Sequence, residues 1–477
     1  MIGVVARKEL KEIIRDGRFR WLSVTCVLLI LLATASGFQL TMQQLQDQAA
    51  AATAERDNFL EQGAKNPHAA AHFGQYAFRP VLLPAAIDPG VAPYMGSMIW
   101  LEAHRMNLPE FRPAEDSADF GRVAQLSVAW VLQFVLPLFV IVVTFAAVAG
   151  ERERGTLALI MSQGLGLGPI MLGKALAALG ALLAVLLPLI ALSVAGFTLI
   201  ATETDTQGGM ARLAWMGIAY LLYLLSFAGL SLLVSTVAGT RRTAFFALTA
   251  IWLLVTVALP RAAADAAAAV HPTPSPAAFW AGIRSGEGSE PDLAGDPRTR
   301  AAALRSRLTR ELLEEYSVES VDQLPLNFTA VFLQRLEEQD APIFDYHHGR
   351  LWQTYEAQRR LQQLASILSP AIAIRQISMA MAGTDPYAQR HFTVAAEKYR
   401  RDFVGQLNGI QATQGAGTRF YVAPGDTWNT VAEFHYEPPA VNEVLHRHLT
   451  DLAMLLFWAL APLALALLFA RRLRPVH

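Results

Sequence analysis

The sequence contains little charge and a single cysteine. Only 17% of its 477 residues are charged and 53% are apolar, whereas an average soluble domain carries about a quarter charged residues. This composition excludes an ordinary soluble domain and indicates an integral membrane protein. The one cysteine, Cys26, lies inside an apolar run, so the chain can form neither an internal disulfide nor a CxxC metal site. We expect Cys26 to be a buried structural thiol.

An excess of one charge and the common catalytic motifs are also missing. The chain has 39 basic and 40 acidic residues, a balance that gives no indication of nucleic-acid binding. Neither a G-x-S-x-G nor an H-E-x-x-H motif is present. Ionisable residues are almost absent from the interior of the apolar runs, which argues against an ion-driven carrier. We therefore expect no catalytic residue in this chain.

One segment imitates a nucleotide-binding loop. Residues 168–175 nearly match the pattern G-x-x-x-x-G-K-[ST]. Its last position is Ala175, which has no hydroxyl to hold magnesium, and the segment enters an apolar run instead of leaving a strand. We therefore expect no cofactor in this chain. Lys174, preceded by Gly173, is expected to anchor the inner end of the third span by reaching the lipid headgroups.

Eleven histidines raise the question of a metal site. His68 and His72 are four residues apart, His347 and His348 are adjacent, and a Glu-x-x-His pair starts at Glu443. Such spacings can place ligands on one helix face. No single segment supplies three convincing ligands, so solvated or hydrogen-bonded histidine is the better interpretation. We expect no metal site.

Six apolar windows are long enough to cross a bilayer as helices. They predict an all-α integral membrane protein with six transmembrane helices. The predicted spans are residues 19–40, 124–149, 170–201, 213–238, 244–260 and 451–470.

Basic residues predict the orientation of these spans, because lysine and arginine concentrate on the cytoplasmic side. With six spans, all the basic clusters fall on one side of the membrane. They are Arg7, Lys8, Lys11, Arg15, Arg18 and Arg20 before span 1, Arg152 and Arg154 after span 2, Arg241 and Arg242 after span 4, and Arg471, Arg472 and Arg474 in the tail, residues 471–477. We expect a multi-pass protein of a bacterial inner membrane with both termini in the cytoplasm.

The first residues could imitate a cleaved secretory signal. However, residues 1–18 contain acids and place Ala6, Leu10 and Ile13 at helical spacing. This pattern is typical of an amphipathic helix lying on the inner membrane face against lipid.

Two long segments then face outward. The smaller one, residues 41–123, begins with a polar helical stretch and continues into a proline-broken stretch of extended or turn structure. The larger one, residues 261–450, carries helical patterns, such as Leu304, Leu308 and Leu312. We expect a mainly helical extracytoplasmic domain between spans 5 and 6.

The cytoplasmic connection of residues 150–169 holds the most informative motif. It reads Glu151-Arg152-Glu153-Arg154-Gly155-Thr156-Leu157. Thr156 can cap a short helix over residues 157–161, whose apolar side chains must dock on something. A plain inside loop would explain the arginines through the topology rule, but it gives no reason for both glutamates followed by Gly-Thr-Leu.

ERERGTLALIMSQ followed by LGK resembles the E-x-E-x-G-T-L…GK signature of ABC-2-type transporter permeases, including the subunits linked to nitrous oxide reductase maturation and gliding motility. The resemblance implies a coupling helix that docks on a cytoplasmic ATPase. The implied contact residues are Glu151, Arg152, Glu153, Arg154, Gly155, Thr156 and Leu157, with Gly173 and Lys174 at the start of the next span.

A second resemblance covers residues 368–403, which are similar to a block typical of the domain-of-unknown-function 3526 permeases. Its marks are Ser369, Pro370, Gly383, Thr384, Asp385, His391 and Phe392. Together the resemblances imply a permease subunit that couples ATP hydrolysis on a separate ABC ATPase, which holds ATP and magnesium, to export of a substrate. They imply a second permease chain as a further partner, forming a homodimer or a heterodimer. The alternative is a mechanotransmitter, whose outer domain passes ATP-driven motion to a periplasmic protein without moving cargo.

Overall fold

The chain folds into six long apolar helices with one further domain, formed by the two long segments predicted to face outward and called the outer domain below. The computed structural model describes residues 1–116, 126–162, 166–200, 208–290, 293–418 and 420–471. The predicted class, an all-α membrane protein with six candidate spans, is confirmed. Spans 1 to 6 are Gly17–Leu60, Val128–Glu153, Leu167–Leu199, Gly209–Val237, Arg241–Val270 and Leu449–Ala470. The chain is a multi-pass membrane protein.

The helices and strands of the described residues follow the chain in a simple order. They are α1 (Ile2–Arg15), α2 (Gly17–Leu60), α3 (Pro67–Phe73), β1 (Gln75–Phe78), β2 (Met98–Glu102), β3 (Arg105–Met106), α4 (Pro113–Asp116), α5 (Val128–Trp130), α6 (Leu136–Thr144), α7 (Ala149–Glu153), α8 (Thr156–Ser162), α9 (Leu167–Ile200), α10 (Gly209–Val237), α11 (Arg241–Leu253), α12 (Leu259–Val270), α13 (Pro276–Ser285), α14 (Pro297–Glu315), α15 (Phe328–Ala365), α16 (Pro370–Ala382), α17 (Pro386–Gln414), α18 (Val441–Arg447) and α19 (Leu449–Ala470).

Some predicted boundaries lie outside the described residues. These are the end of the first outer segment within 117–125, the step after the short helix at 163–165, the loop at 201–207, and the tail residues from Arg472 onward.

Span 4 forms the centre of the membrane part. Within its apolar window 61% of the residues are buried, against 22% in spans 1 and 6. Tyr223 and Phe227 of span 4 are almost fully buried in the core shared with spans 1, 2, 3 and 6. The faces of the other spans that point away from span 4 are therefore available to contact lipid.

Spans 2 and 5 each contain one π-helical turn, at Val131–Val135 and Leu254–Ala258. A π-turn interrupts the regular backbone ladder and frees carbonyl groups for other donors. Tyr223 donates to the Gln133 carbonyl at 2.7 Å, and Ser369 donates to the Val255 carbonyl. Polar side chains from elsewhere in the fold thus satisfy backbone that lipid cannot.

The two outer segments pack into one domain. Strands β1, β2 and β3 form an antiparallel sheet in which Tyr76 pairs with Trp100. Ile99 of this sheet packs against Phe392 of α17. Nearby, Phe59 from the end of α2 packs on Phe403 and Trp428. The sheet was not predicted, because strands of five residues or fewer are too short for a clear alternating pattern.

Candidate functional site

The Glu-Arg-Glu-Arg-Gly-Thr-Leu motif forms a tight reversal between spans 2 and 3. Helix α7 ends at Glu153, Gly155 adopts a left-handed φ of 72°, and α8 begins at Thr156. A left-handed turn favours glycine, since other side chains clash there. The Thr156 hydroxyl donates to the Glu151 carbonyl at 3.2 Å, so it closes α7 instead of capping α8. The short helix predicted over 157–161 spans Thr156–Ser162 in the structure.

Glu151 points into the protein. Its side chain is 5% exposed and accepts a hydrogen bond at 2.9 Å from Lys174, which is 3% exposed. Lys174 also pairs with Glu9 of α1 at 2.9 Å. Lys174 therefore joins three elements, α7, α9 and α1, through buried charge. Removing one partner of such a buried pair is costly, because it leaves a charge without compensation.

The charges around Glu9 favour its ionised form. Burial opposes ionisation, but Lys174 and Lys8 outweigh that effect and lower the pKa of the Glu9 carboxyl. Lys8 also pairs with Glu12 at 3.2 Å. The attachment of α1 to the reversal thus consists of neutralised ion pairs.

Arg152 and Glu153 attach the reversal to the end of span 4 and the start of span 5. Arg152 donates to the carbonyls of Thr236 and Ala238 at 2.6 and 2.7 Å, capping the last turn of α10. Glu153 accepts hydrogen bonds from the backbone and side chain of Arg241 at 2.8 and 2.5 Å. Two of the arginines predicted to lie on the cytoplasmic side, Arg152 and Arg241, thus bind backbone carbonyls and a carboxylate, respectively.

Helix α8 has one buried face and one exposed face. Leu157 is 7% exposed and packs on Val148, Met171 and Ala470, in the cluster at the ends of spans 2, 3, 4 and 6. Leu159 is 62% exposed. Arg154 and Gly155, which precede the helix, and Ala158 within it, are also exposed. The helix therefore exposes Leu159 to the surroundings while Leu157 attaches it to the ends of the spans.

Gly173 permits the close approach of α1. A Cβ atom at this position would lie 2.6 Å from Cβ of Val5. Leu10 of α1 touches span 3 again at Gly180. The predicted amphipathic helix thus packs part of its apolar face on the protein's own third span. Gly173 and Lys174 lie within the helix α9, so the resemblance to a nucleotide-binding loop does not extend to its backbone.

The residues of the outer block cap two helices. Ser369 accepts from Ala371 at the start of α16, ahead of Pro370 at its first position, and Gly383 ends that helix with a φ of 69°. Asp385 accepts from Ala388 at 3.1 Å and caps α17.

The same block ties the two outer segments together. Thr384 donates to the Asp88 carbonyl at 3.0 Å. His391 contacts the Tyr436 hydroxyl at 3.0 Å, and Phe392 is fully buried. These residues build the outer domain and hold it on the spans.

Two further residues of this junction escaped the sequence analysis. Arg212, at the outer end of span 4, is 3% exposed and donates to the carbonyls of Ala380, Met381 and Pro439. Asp88 is buried and accepts a hydrogen bond from Ser378, and burial raises the pKa of its carboxyl. The only signal in the sequence was an isolated charge beside an apolar run.

A cavity of about 560 Å³ opens where the outer domain meets spans 5 and 6. Arg375, Arg390 and Arg447 line it together with Trp352 and Tyr355. Glu356 and Asp385 also line it, and Glu356 pairs with Arg447 and Arg359, so the lining combines charges of both signs with aromatic surface.

A comparison with protein families finds that the family model described as ABC-2 family transporter protein matches residues 4–473. A comparison with curated proteins finds no match.

Proposed function

From the premise that this chain belongs to the ABC-2 transporter family and is a permease component of an ABC transporter, we propose that α8 is the helix through which a separate cytoplasmic ATPase drives it. Membership of this family implies ABC ATPase subunits as partners. The proposal assigns ATP and magnesium to those subunits. In this proposal, closure of the ATPase subunits moves the spans of this chain.

The observation that carries the proposal is the combination of exposure and anchoring in α8. Leu159 is 62% exposed, whereas Leu157 on the same helix is 7% exposed in the inner cluster. An exposed apolar side chain on a short helix that follows the exposed Arg154 is the combination expected of a docking surface. The face opposite the partner is already packed.

Force applied to α8 has direct routes into the membrane part. Leu157 packs in the cluster at the ends of four spans. Arg152, just before α8, binds the last turn of span 4. Glu151 pairs with Lys174 of span 3, which in turn pairs with Glu9 of α1. Packed interfaces respond to such displacement by shifting as units between discrete arrangements. A partner that contacts α8 differently with and without ATP would therefore bias the arrangement of several spans at once.

The remaining assignments follow from this mechanism. We assign α8 and both termini to the cytoplasmic side of a bacterial inner membrane, and the outer domain to the periplasm. Two permease chains, identical or different, would each receive one ATPase subunit. Assignment to the domain-of-unknown-function 3526 permeases rests on the residues of the outer block.

We favour export or translocation of a substrate as the output. The cavity between the outer domain and the adjoining ends of the spans, lined by Arg375 and Arg447, supports this choice. It would offer a transported molecule a place to leave the spans. Substrate-stimulated ATPase activity is the expected signature of transport. Co-purification of a periplasmic protein without such stimulation would instead indicate transmission of motion.

The decisive experiment replaces Leu159 with glutamate in the assembled complex. The expected result is a loss of permease-stimulated ATPase activity of tenfold or more, because a charge would be buried at the centre of the contact. Reversing Glu151 would not separate docking from folding, since Glu151 holds the buried pair with Lys174.

The matched control is Val422→Glu, which introduces the same charge at an apolar side chain of the outer domain that is 57% exposed. Both variants should insert into the membrane and unfold at the same temperature as the parent protein. Full ATPase stimulation in Leu159→Glu, with normal membrane insertion, would overturn the assignment of α8.

A further inference from the structure

Three histidines from two separate parts of the outer domain meet at one point. His68 and His72 lie on α3, and His104 lies in the turn between β2 and β3. One nitrogen from each ring lies within 4.8 Å of one nitrogen from each of the others. The spacing of the histidines in the sequence predicts no metal site, because no single segment offers three ligands. The fold supplies the third ligand from 32 residues beyond His72.

The hydrogen bonds of His68 and His104 define which ring nitrogens are free. Nδ1 of His68 lies 2.9 Å from the Asn408 side-chain oxygen, and Nδ1 of His104 lies 3.0 Å from a Glu337 carboxylate oxygen. Both oxygens are acceptors, so each Nδ1 carries the proton. In the neutral rings each Nε2 then holds a lone pair.

These two lone pairs point at each other. Nε2 of His68 lies 3.1 Å from Nε2 of His104, a contact that repels unless a proton or a cation lies between them. Two nitrogens on a tetrahedral zinc ion with bonds of about 2.0–2.1 Å are separated by about 3.3 Å. A shared proton would explain the contact between His68 and His104 but not the position of His72. A metal ion would explain why all three rings lie together.

The surroundings match those of known histidine metal sites. Ligating histidines commonly donate their second nitrogen to a carboxylate or carbonyl, which fixes the tautomer, as Glu337 and Asn408 do here. His72 is exposed and leaves the site open to solvent.

The backbone of His104 is held in place by the same carboxylate. Its φ of 67° lies in the left-handed region, which is costly for a residue other than glycine. The His104 amide donates to Glu337, and Arg400 pairs with the other oxygen of that carboxylate at 3.1 Å. Strained backbone supported by a buried ion pair is typical of a functional site.

We propose that His68, His72 and His104 form a binding site for a divalent transition-metal ion of the zinc class in the outer domain. All three ligands belong to the first outer segment, while Glu337 and Asn408 belong to α15 and α17 of the second. A bound ion would therefore join α3 to the β2–β3 turn within the first segment, and the second segment would orient two of the ligands through Asn408 and Glu337. The proposal is independent of the ATPase contact at α8.

The test uses the full-length chain in detergent, freed of metal and titrated with Zn²⁺ and separately with Co²⁺. We expect one Zn²⁺ per chain and visible Co²⁺ absorption bands of tetrahedral nitrogen and oxygen coordination. His72→Gln, at an exposed position, should weaken Zn²⁺ binding at least tenfold without affecting folding. His104→Asn should also weaken Zn²⁺ binding at least tenfold. It should leave folding unaffected, because asparagine tolerates the left-handed backbone.

The matched control is His347→Gln, which removes a histidine elsewhere in the outer domain and should bind Zn²⁺ like the parent protein. Equal Zn²⁺ affinity in the parent protein and His72→Gln would overturn the proposal. Absence of Zn²⁺ binding by a correctly folded parent protein would do so as well, and would leave the histidines as a proton-sharing cluster.

Discussion

Glutamates two positions apart in the motif have opposite structural roles. Glu151 is buried with Lys174, while Glu153 lies at the surface with Arg241. Both residues lie on α7, where side chains two positions apart point about 200° apart around the helix axis, so one side chain enters the protein and the other remains in solvent. Both were predicted as contacts for a partner, and only Glu153 is accessible in the single chain.

This difference predicts unequal effects of the same substitution. Glu151→Gln should lower the free energy of unfolding by about 3 kcal/mol, because a buried charge pair loses one member. Glu153→Gln should change it little, since exposed ion pairs contribute weakly. The measurement is the unfolding midpoint of the two purified variants in the same detergent. Equal midpoints would contradict the buried role of Glu151.

At the scale of elements, α16 connects the outer domain to the membrane part. Its buried residues, among them Ile374 and Ile377, belong to the same core as the spans. Ser369 at its start serves two purposes, since it caps α16 and donates to the freed Val255 carbonyl of span 5. The residues of the outer block therefore have structural roles, as helix caps and as contacts between the outer domain and the spans.

Loss of the Ser369 hydroxyl should open α16 locally. Ser369→Ala removes a cap worth about 1 kcal/mol and a buried hydrogen bond worth about 1 kcal/mol. Amide exchange over residues 370–382 should accelerate by about thirtyfold. Ser275→Ala, which removes only the cap of α13, should accelerate exchange over residues 276–285 by about fivefold. Similar acceleration in both helices would argue against the bond to span 5.

At the scale of the whole molecule, the two faces differ in how they are held together. The inner face is joined by ion pairs around Lys174 and by the cluster that includes Leu157. The outer face is joined by the bonds of Arg212 to three carbonyls and by the shared cores of the two outer segments. Span 4 contacts both faces, through Leu232 at one end and Arg212 at the other.

The proposed orientation can be tested by labelling single cysteines in a Cys26→Ser background. A membrane-impermeant maleimide should react with Val422→Cys in intact cells, because that residue is exposed on the outer domain. Leu159→Cys, also exposed, should react only after the inner membrane is made permeable. Labelling of Leu159→Cys in intact cells would place α8 on the wrong side for an ATPase.

The class of the protein and the number of spans were predictable from the sequence alone, because lipid selects long apolar helices by local composition. The motif at Glu151–Leu157 was also recognisable, since its residues are consecutive. Only the tertiary structure decided that Glu151 faces inward toward Lys174, and that His104 joins His68 and His72. Those contacts connect positions far apart in the chain, and local periodicity carries no information about which distant residue will be a neighbour.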